Sequence, residues 1–360
     1  MARVHAWSSR PAWPSRRRWL VRASAGAAGL ACPALWAEPP GPRARVLLGL
    51  TREDSLFHLP LVVARQLGYF TDEGLDVRLV GWGSTAAVAR ALRQGRIDVA
   101  AASYLQLIVQ RLQDQPWQSF VLMGRSPMVA MGVSTAQLPQ FDHVVQLRGQ
   151  CIGVAAENLA ARLLAQALLA KAGLSPAEVH WLELPAGAAD LVAWDQGRIQ
   201  ALSHADPLMT QLERRGELRL LADARTLRGT EDVFDGPLPS TCLFAHRGYV
   251  KARAHIVQGL TQAVLRSLRW LQTAAPADLL AAVPATHTGA DRALYLAAYF
   301  RVREGYSPNG ILDDEAAHNA WRVVQGLEGV GLRPDVAARM ASAHTNAFVL
   351  QARRVIGAPT

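Results

Sequence analysis

Ser84-Thr85-Ala86-Ala87-Val88-Ala89-Arg90-Ala91-Leu92, continued from Gln94 as Gln94-Gly95-Arg96-Ile97-Asp98-Val99-Ala100-Ala101, is the stretch that decides the fold. The first half reads as an amphipathic helix with a hydroxyl cap at Ser84, whose oxygen serves the otherwise unpaired N–H groups of the first turn. The second half, from Ile97, reads as a short strand. The same link returns downstream as Gln196-Gly197-Arg198-Ile199, again between a helix (about Ala188 to Gln196) and a strand (Ile199-Gln200-Ala201-Leu202). Each strand leads into a polar loop, Ser103-Tyr104 in one case and His204-Ala205-Asp206 in the other. A matched position in two β-helix-β units predicts two similar lobes, not a short-period solenoid.

The flanking sequence supports this. From Arg45 onward, short β-branched runs alternate with helical stretches, the signature of an α/β sheet. Val46-Leu47-Leu48-Gly49-Leu50 reads as a first strand, Pro60 opens a helix that stops at Gly68, and Val77-Arg78-Leu79-Val80 is a second strand. The plan restarts at Cys151-Ile152-Gly153-Val154, with a helix over Asn158–Ala172 and a strand over Val179–Leu184. Thr241-Cys242-Leu243-Phe244-Ala245 reads as one more strand before a helix-rich end. The expected layout is therefore lobe one over 43–135, lobe two over 145–225, and a return to lobe one over 236–355. Crossings are expected near Ser134–Gln146 and Ala224–Pro239, which are candidate hinges.

At 360 residues the chain suits two globular units. Its net charge of +9 first suggests an anionic polymer as partner, but six of those charges are arginines within residues 1–37, which hold no acid. The remainder mixes both signs, so a nucleic-acid role loses its main support. No apolar run reaches the roughly 18 residues of a membrane-spanning helix. Residues 1–37 read as a cleavable export signal. A basic segment ends in Ser15-Arg16-Arg17-Arg18-Trp19-Leu20 and resembles a twin-arginine signal; an Ala/Gly run and Ala34-Leu35-Trp36-Ala37 follow, with cleavage expected after Ala37. The expected location is the periplasm. A lipid anchor on Cys32 is the weaker alternative, because Gly29 and Pro33 fit such a site poorly. Cys151 and Cys242 show no metal spacing and no redox pairing, and both fall in apolar runs that look like separate buried strands.

Leu67-Gly68-Tyr69-Phe70-Thr71-Asp72-Glu73-Gly74-Leu75-Asp76-Val77 resembles a segment of the ABC-transporter substrate-binding proteins of the nitrate/sulfonate/taurine type, a group that includes the thiamine-pyrimidine binders. Gly81 to Thr85, Gln94 to Asp98, Leu147 to Val154, Gly305-Tyr306-Ser307-Pro308-Asn309-Gly310 and Thr345 to Val349 are similar to further family segments in the same order. The resemblance covers nearly all of residues 45–350. It implies a type II periplasmic-binding-protein fold, with two doubly wound lobes gripping a ligand between them. It also implies a monomer that serves an ABC permease and its ATPase, and no cofactor. The implied ligand is a small organic molecule, sulfonate- or taurine-like or a nitrogen heterocycle such as a thiamine-type pyrimidine.

Ligands of open α/β sheets bind beyond the carboxyl ends of the strands. In lobe one this selects Ser55, Phe57 and His58 after the first strand, then Trp82, Gly83, Ser84 and Thr85 at a helix N-terminus, then Ser103 and Tyr104. Ser126 lies near the expected crossing. In lobe two it selects Glu157, Asn158, His204 and Asp206. If Glu157 and Asp206 both face the cleft, they repel a bare anion and favour a neutral, zwitterionic or amine-bearing ligand, with a heterocycle stacked on Trp82 or Tyr104.

No catalytic constellation is present: there is no G-x-S-x-G, H-E-x-x-H, C-x-x-C or P-loop, and the ten histidines are scattered. Two alternatives to a binding protein remain. One is a pyrimidine-precursor synthase of the same fold, whose cysteine-rich segment this chain lacks; the other is the sensing module of a membrane receptor.

Overall fold

The structure is a computed structural model, and it describes residues 43–156, 158–184, 188–326 and 340–356. The expected export signal, its cleavage site, Cys32 and Glu157 lie outside the described residues.

The first lobe begins with β1 (Ala44–Leu50), α1 (Leu59–Gln66), α2 (Tyr69–Asp72), β2 (Leu75–Gly81), α3 (Thr85–Arg93), β3 (Val99–Ser103), α4 (Tyr104–Leu112) and β4 (Trp117–Leu122). The second holds β5 (Val129–Ser134), β6 (Cys151–Ala155), α5 (Leu159–Lys171), β7 (His180–Leu184), α6 (Ala188–Asp195), β8 (Ala201–Ala205), α7 (Leu208–Arg214) and β9 (Leu218–Asp223). The chain then continues through α8 (Leu227–Phe234) to β10 (Thr241–His246). It closes with α9 (Arg247–Ala252), α10 (Ala254–Thr273), α11 (Pro276–Ala282), α12 (Ala285–Thr288), α13 (Arg292–Val302), α14 (Asp314–Gln325) and a last helix, Ala347–Ile356.

The two sheets have one plan. Their strand orders are β2-β1-β3-β10-β4 and β7-β6-β8-β5-β9. In each, the first three strands run parallel and the fourth is antiparallel to both of its neighbours. Helices cover both faces, so the central strands are near-continuously apolar: Val46, Leu48 and Leu50 of β1 are fully buried.

The repeated link has a local cause. Gly95 and Gly197 sit at φ +66° and +65°, the left-handed region that glycine enters at little cost. The Arg96 N–H reaches back to the Ala91 carbonyl at 2.9 Å, and the Arg198 N–H to the Ala193 carbonyl at 3.0 Å. Both are Schellman closures, which stop the helix and aim the chain into the next strand. Ile97 and Ile199 then anchor that strand in the core.

The first crossing is displaced from its expected place. β5 bonds only within the second sheet, so the chain changes lobe over residues 123–128, between β4 and β5. Ser134–Gln146 instead belongs to lobe two, in the connection from β5 to β6. Its turn-formers mark a surface loop, whereas the true crossing, Met123-Gly124-Arg125-Ser126-Pro127-Met128, is short and half apolar. The return runs over residues 224–240. Each crossing delivers the chain into the antiparallel strand of the next sheet.

Candidate functional site

The carboxyl ends of β1, β3, β6 and β8 face one cleft. The amino end of β10 joins them because β10 runs antiparallel to β3, with Thr241 opposite Ser103.

An inner chamber, open to solvent, lies there. Lobe one lines it with Thr51, Phe57, His58, Thr85, Ala102, Ser103, Ser240 and Thr241, and lobe two with Asn158 and Ala160. Several of these polar groups are helix caps. The Ser103 hydroxyl accepts the Leu105 N–H at 3.2 Å, opening α4, and the Asn158 side-chain carbonyl accepts the Ala160 N–H at 2.9 Å, opening α5. A hydroxyl that accepts a capping bond keeps its own O–H to donate, and a capping asparagine keeps its NH₂. Capping thus turns these side chains into donors held in fixed positions. No side chain described on this lining carries a full charge at neutral pH.

His58 is the exceptional member. It is 2% exposed, and its Nε2 lies 3.2 Å from the Thr51 hydroxyl. Its Nδ1 is buried with no hydrogen-bond partner. Burial pushes its pKa down to about 4, so the ring is neutral at pH 7.

Phe57 also borders a second, larger outer chamber between the lobes. Lobe one supplies Arg52, Asp54, Ser55 and Leu56, together with residues 286–291, Leu294 and Tyr295; lobe two supplies Leu191, residues 204–208 and Gln211. Ser55 caps the turn that carries Phe57 and His58, accepting the Phe57 N–H at 3.4 Å.

The structure corrects several sequence-based expectations. Asp206 borders the outer chamber, but its carboxylate is paired inside the protein. Its side chain is fully buried, 3.2 Å from the Arg225 guanidinium, and accepts the Thr210 N–H at 2.8 Å. Arg225, equally buried, also forms a two-pronged bond to Asp223 at 2.6 and 2.7 Å and pairs with Glu213 at 2.7 Å. With Glu157 outside the described residues, the argument against an anionic ligand loses its structural basis.

Neither proposed stacking ring is on the described lining of these two chambers. Tyr104 is 1% exposed and turned into the core, its hydroxyl 3.4 Å from His344 Nδ1. Trp82 packs against the core, with the Arg96 guanidinium 4.4 Å over its ring. Gly83 and Ser84 also stand off the lining. Gly83 is demanded by its φ of +75°, and Ser84 caps α3 by accepting the Ala87 N–H at 3.2 Å. Ser126 is buried in the first crossing, where its hydroxyl donates to the Arg225 carbonyl at 3.2 Å. Cys151 and Cys242 are both free thiols, in different lobes.

Sequence reasoning missed Thr51, Ser240 and Thr241. The last two stand at the start of a strand, where a rule about carboxyl ends does not look; only the antiparallel pairing of β10 brings them to the cleft. Among the described residues, no cluster of His, Cys, Asp and Glu is placed to hold a metal ion, and no helix is long and apolar enough to cross a membrane.

A profile of the family described as NMT1/THI5 like matches residues 56–277. The chain belongs to the NMT1/THI5-like family. A solved protein of Bordetella bronchiseptica RB50 is 31% identical, covering 88% of this chain and 98% of that one, with a TM-score of 0.79. The alkanesulfonate-binding protein SsuA from Xanthomonas axonopodis pv. citri, bound to MOPS, is 19% identical, covering 84% and 99%, with a TM-score of 0.65. YtlA of Bacillus subtilis (strain 168), provisionally named a binding protein, is 21% identical over 76% of this chain and 79% of its own. A pyrimidine phosphate synthase of Schizosaccharomyces pombe is 23% identical over 35% of each chain. This NMT1/THI5-like chain therefore has the type II periplasmic-binding-protein fold of its structural relatives, two mixed five-stranded sheets with helices on both faces.

Proposed function

We propose that this NMT1/THI5-like chain is the exported solute-binding component of an ABC importer. It closes its two lobes on a small organic molecule and presents the closed form to a permease and its ATPase. One observation carries the reading: donors from both lobes converge on a single chamber at the strand ends, so a ligand there bridges the lobes and favours closure. Binding proteins among its relatives, SsuA and YtlA, support the same role. The arginine-rich residues 1–37 fit delivery to the periplasm.

The chamber favours capture over catalysis. Its one hydroxyl–imidazole pair, Thr51 with His58, has no carboxylate on Nδ1 to orient the ring as a triad requires. An imidazole with a pKa of about 4 is also a weak base at neutral pH. The donor-rich lining matches an acceptor-bearing head group, such as a sulfonate, a carboxylate or the ring nitrogens and exocyclic oxygens of a pyrimidine.

Calorimetry and thermal shift on the chain lacking residues 1–37, against taurine, alkanesulfonates, nitrate and pyrimidines, test the reading. Saturable one-to-one binding without product is expected; ligand at a hundredfold over Kd then adds about 2.7 kcal/mol of stability. Steady conversion of a pyrimidine precursor, with no simple ligand bound, would establish the synthase alternative instead.

A further inference from the structure

In lobe two the fully buried Arg225 side chain is paired with three carboxylates, Asp206 at 3.2 Å, Asp223 at 2.6 Å and Glu213 at 2.7 Å. One cation against three anions leaves this group with a surplus of two negative charges. The Thr210 N–H on Asp206 and the Arg225 N–H on Asp223 soften that surplus without cancelling it, because a dipole carries no net charge. A further cation comes from the other lobe. Glu213 of α7 divides its oxygens: Oε1 faces Arg225, and Oε2 accepts from the Arg301 guanidinium of α13, on lobe one, at 3.1 Å.

We propose that the Arg301–Glu213 pair is an interlobe latch, in which Arg301 is a positioning residue that draws lobe one onto the acid surplus of lobe two even without ligand. This rests on the lobe closure of the binding-protein reading and adds a second force that favours it. The latch is joined to the crossings. Arg225 stands at the start of the return crossing, and its carbonyl accepts the Ser126 hydroxyl of the first crossing at 3.2 Å. A rotation there carries α13 away from α7 and breaks the Arg301 bond, whereas Arg225 and its three acids move together.

Exposure sets the strength of the latch. The Glu213 side chain is 14% exposed and that of Arg301 52%, so solvent and salt weaken the attraction without abolishing it. A modest bias of this kind is useful in a closing protein. It raises the share of molecules already closed, and apparent affinity rises with that share. Reversing the charge of Arg301 does more than remove a bond. It sets a fourth carboxylate against the surplus, and like charges held together across an interface are strongly unfavourable.

The test is small-angle scattering of the ligand-free chain lacking residues 1–37. It is run at about 10 mM and about 1 M salt, between which the screening length falls from about 30 Å to about 3 Å. Wild type is expected to be compact at low salt and to expand at high salt. Arg301→Glu should raise the open-to-closed ratio about tenfold at low salt, and Arg301→Lys should stay within about twofold of wild type. Arg292→Glu makes the same charge change at an exposed position of the same helix and should scatter as wild type does. Urea midpoints, read alongside, separate opening from unfolding. Scattering from Arg301→Glu that matches wild type overturns the latch. Equal opening in Arg292→Glu overturns it too, by assigning the effect to net charge. Neither result touches the importer reading, which stands or falls on ligand binding.

Discussion

His58 is where burial and chemistry conflict most sharply. Its folded pKa of about 4 lies below the ordinary 6.5, so between those values the unfolded chain holds the extra proton. Stability is then fully present above pH 6.5 and is lost as pH falls toward 4, by about 3 kcal/mol for this residue. His58→Gln should flatten that part of the profile, as read by thermal melts from pH 4 to 7; an unchanged slope would assign the acid sensitivity elsewhere. Ser103 has two duties, capping α4 and donating into the chamber. Ser103→Ala should cost about 1 kcal/mol in urea unfolding and weaken ligand binding about fivefold. At this scale the sequence was informative wherever the partner was near in the chain. The cap at Ser84 follows from a short polar side chain before a helical run. The inward turn of Tyr104 does not, since it depends on His344, 240 residues away.

At the scale of elements, the Arg225 cluster joins the end of β9 to the β8–α7 loop and to α7. Glu213 of α7 is shared with Arg301 of α13, at 3.1 Å, which ties lobe two to lobe one beside the outer chamber. Arg225 is fully buried, so Arg225→Met leaves Asp206 and Asp223 without this cation and Glu213 with Arg301 alone. A loss of about 3–5 kcal/mol is expected, measured by the urea midpoint. A drop below 1 kcal/mol would mean that the acids simply take up protons or water. The helices and parallel strands were legible from periodicity. β4, β5 and β9 were not, because they carry no repeated link and their pairing joins residues far apart in sequence.

At the scale of the molecule, the two crossings are fastened to each other. The Ser126 hydroxyl meets the Arg225 carbonyl, and the Met128 N–H meets the Ala224 carbonyl at 3.1 Å. The 303–305 turn packs over them: the Arg125 N–H bonds the Gly305 carbonyl at 2.7 Å, and a Cβ on Gly305 would stand 2.4 Å from Ser126 Oγ. Gly305→Ala should therefore push the crossings apart and disfavour closure. About a tenfold loss of ligand affinity is expected, equivalent to about 1.4 kcal/mol, from a residue that lines neither chamber. Calorimetry reads the affinity, and small-angle scattering with and without ligand reads the closure; unchanged affinity would remove the crossings from the mechanism.

The sequence alone determined the alternation of helix and strand, the two similar lobes and the family, because capping, periodicity and glycine-ended helices are set by residues within a turn or two of each other. Tertiary structure decided where the chain changes lobe, which strand end brings Ser240 and Thr241 to the cleft, and that Asp206 is paired with the buried Arg225. Those depend on groups brought together from distant parts of the chain, and no local pattern records such a meeting.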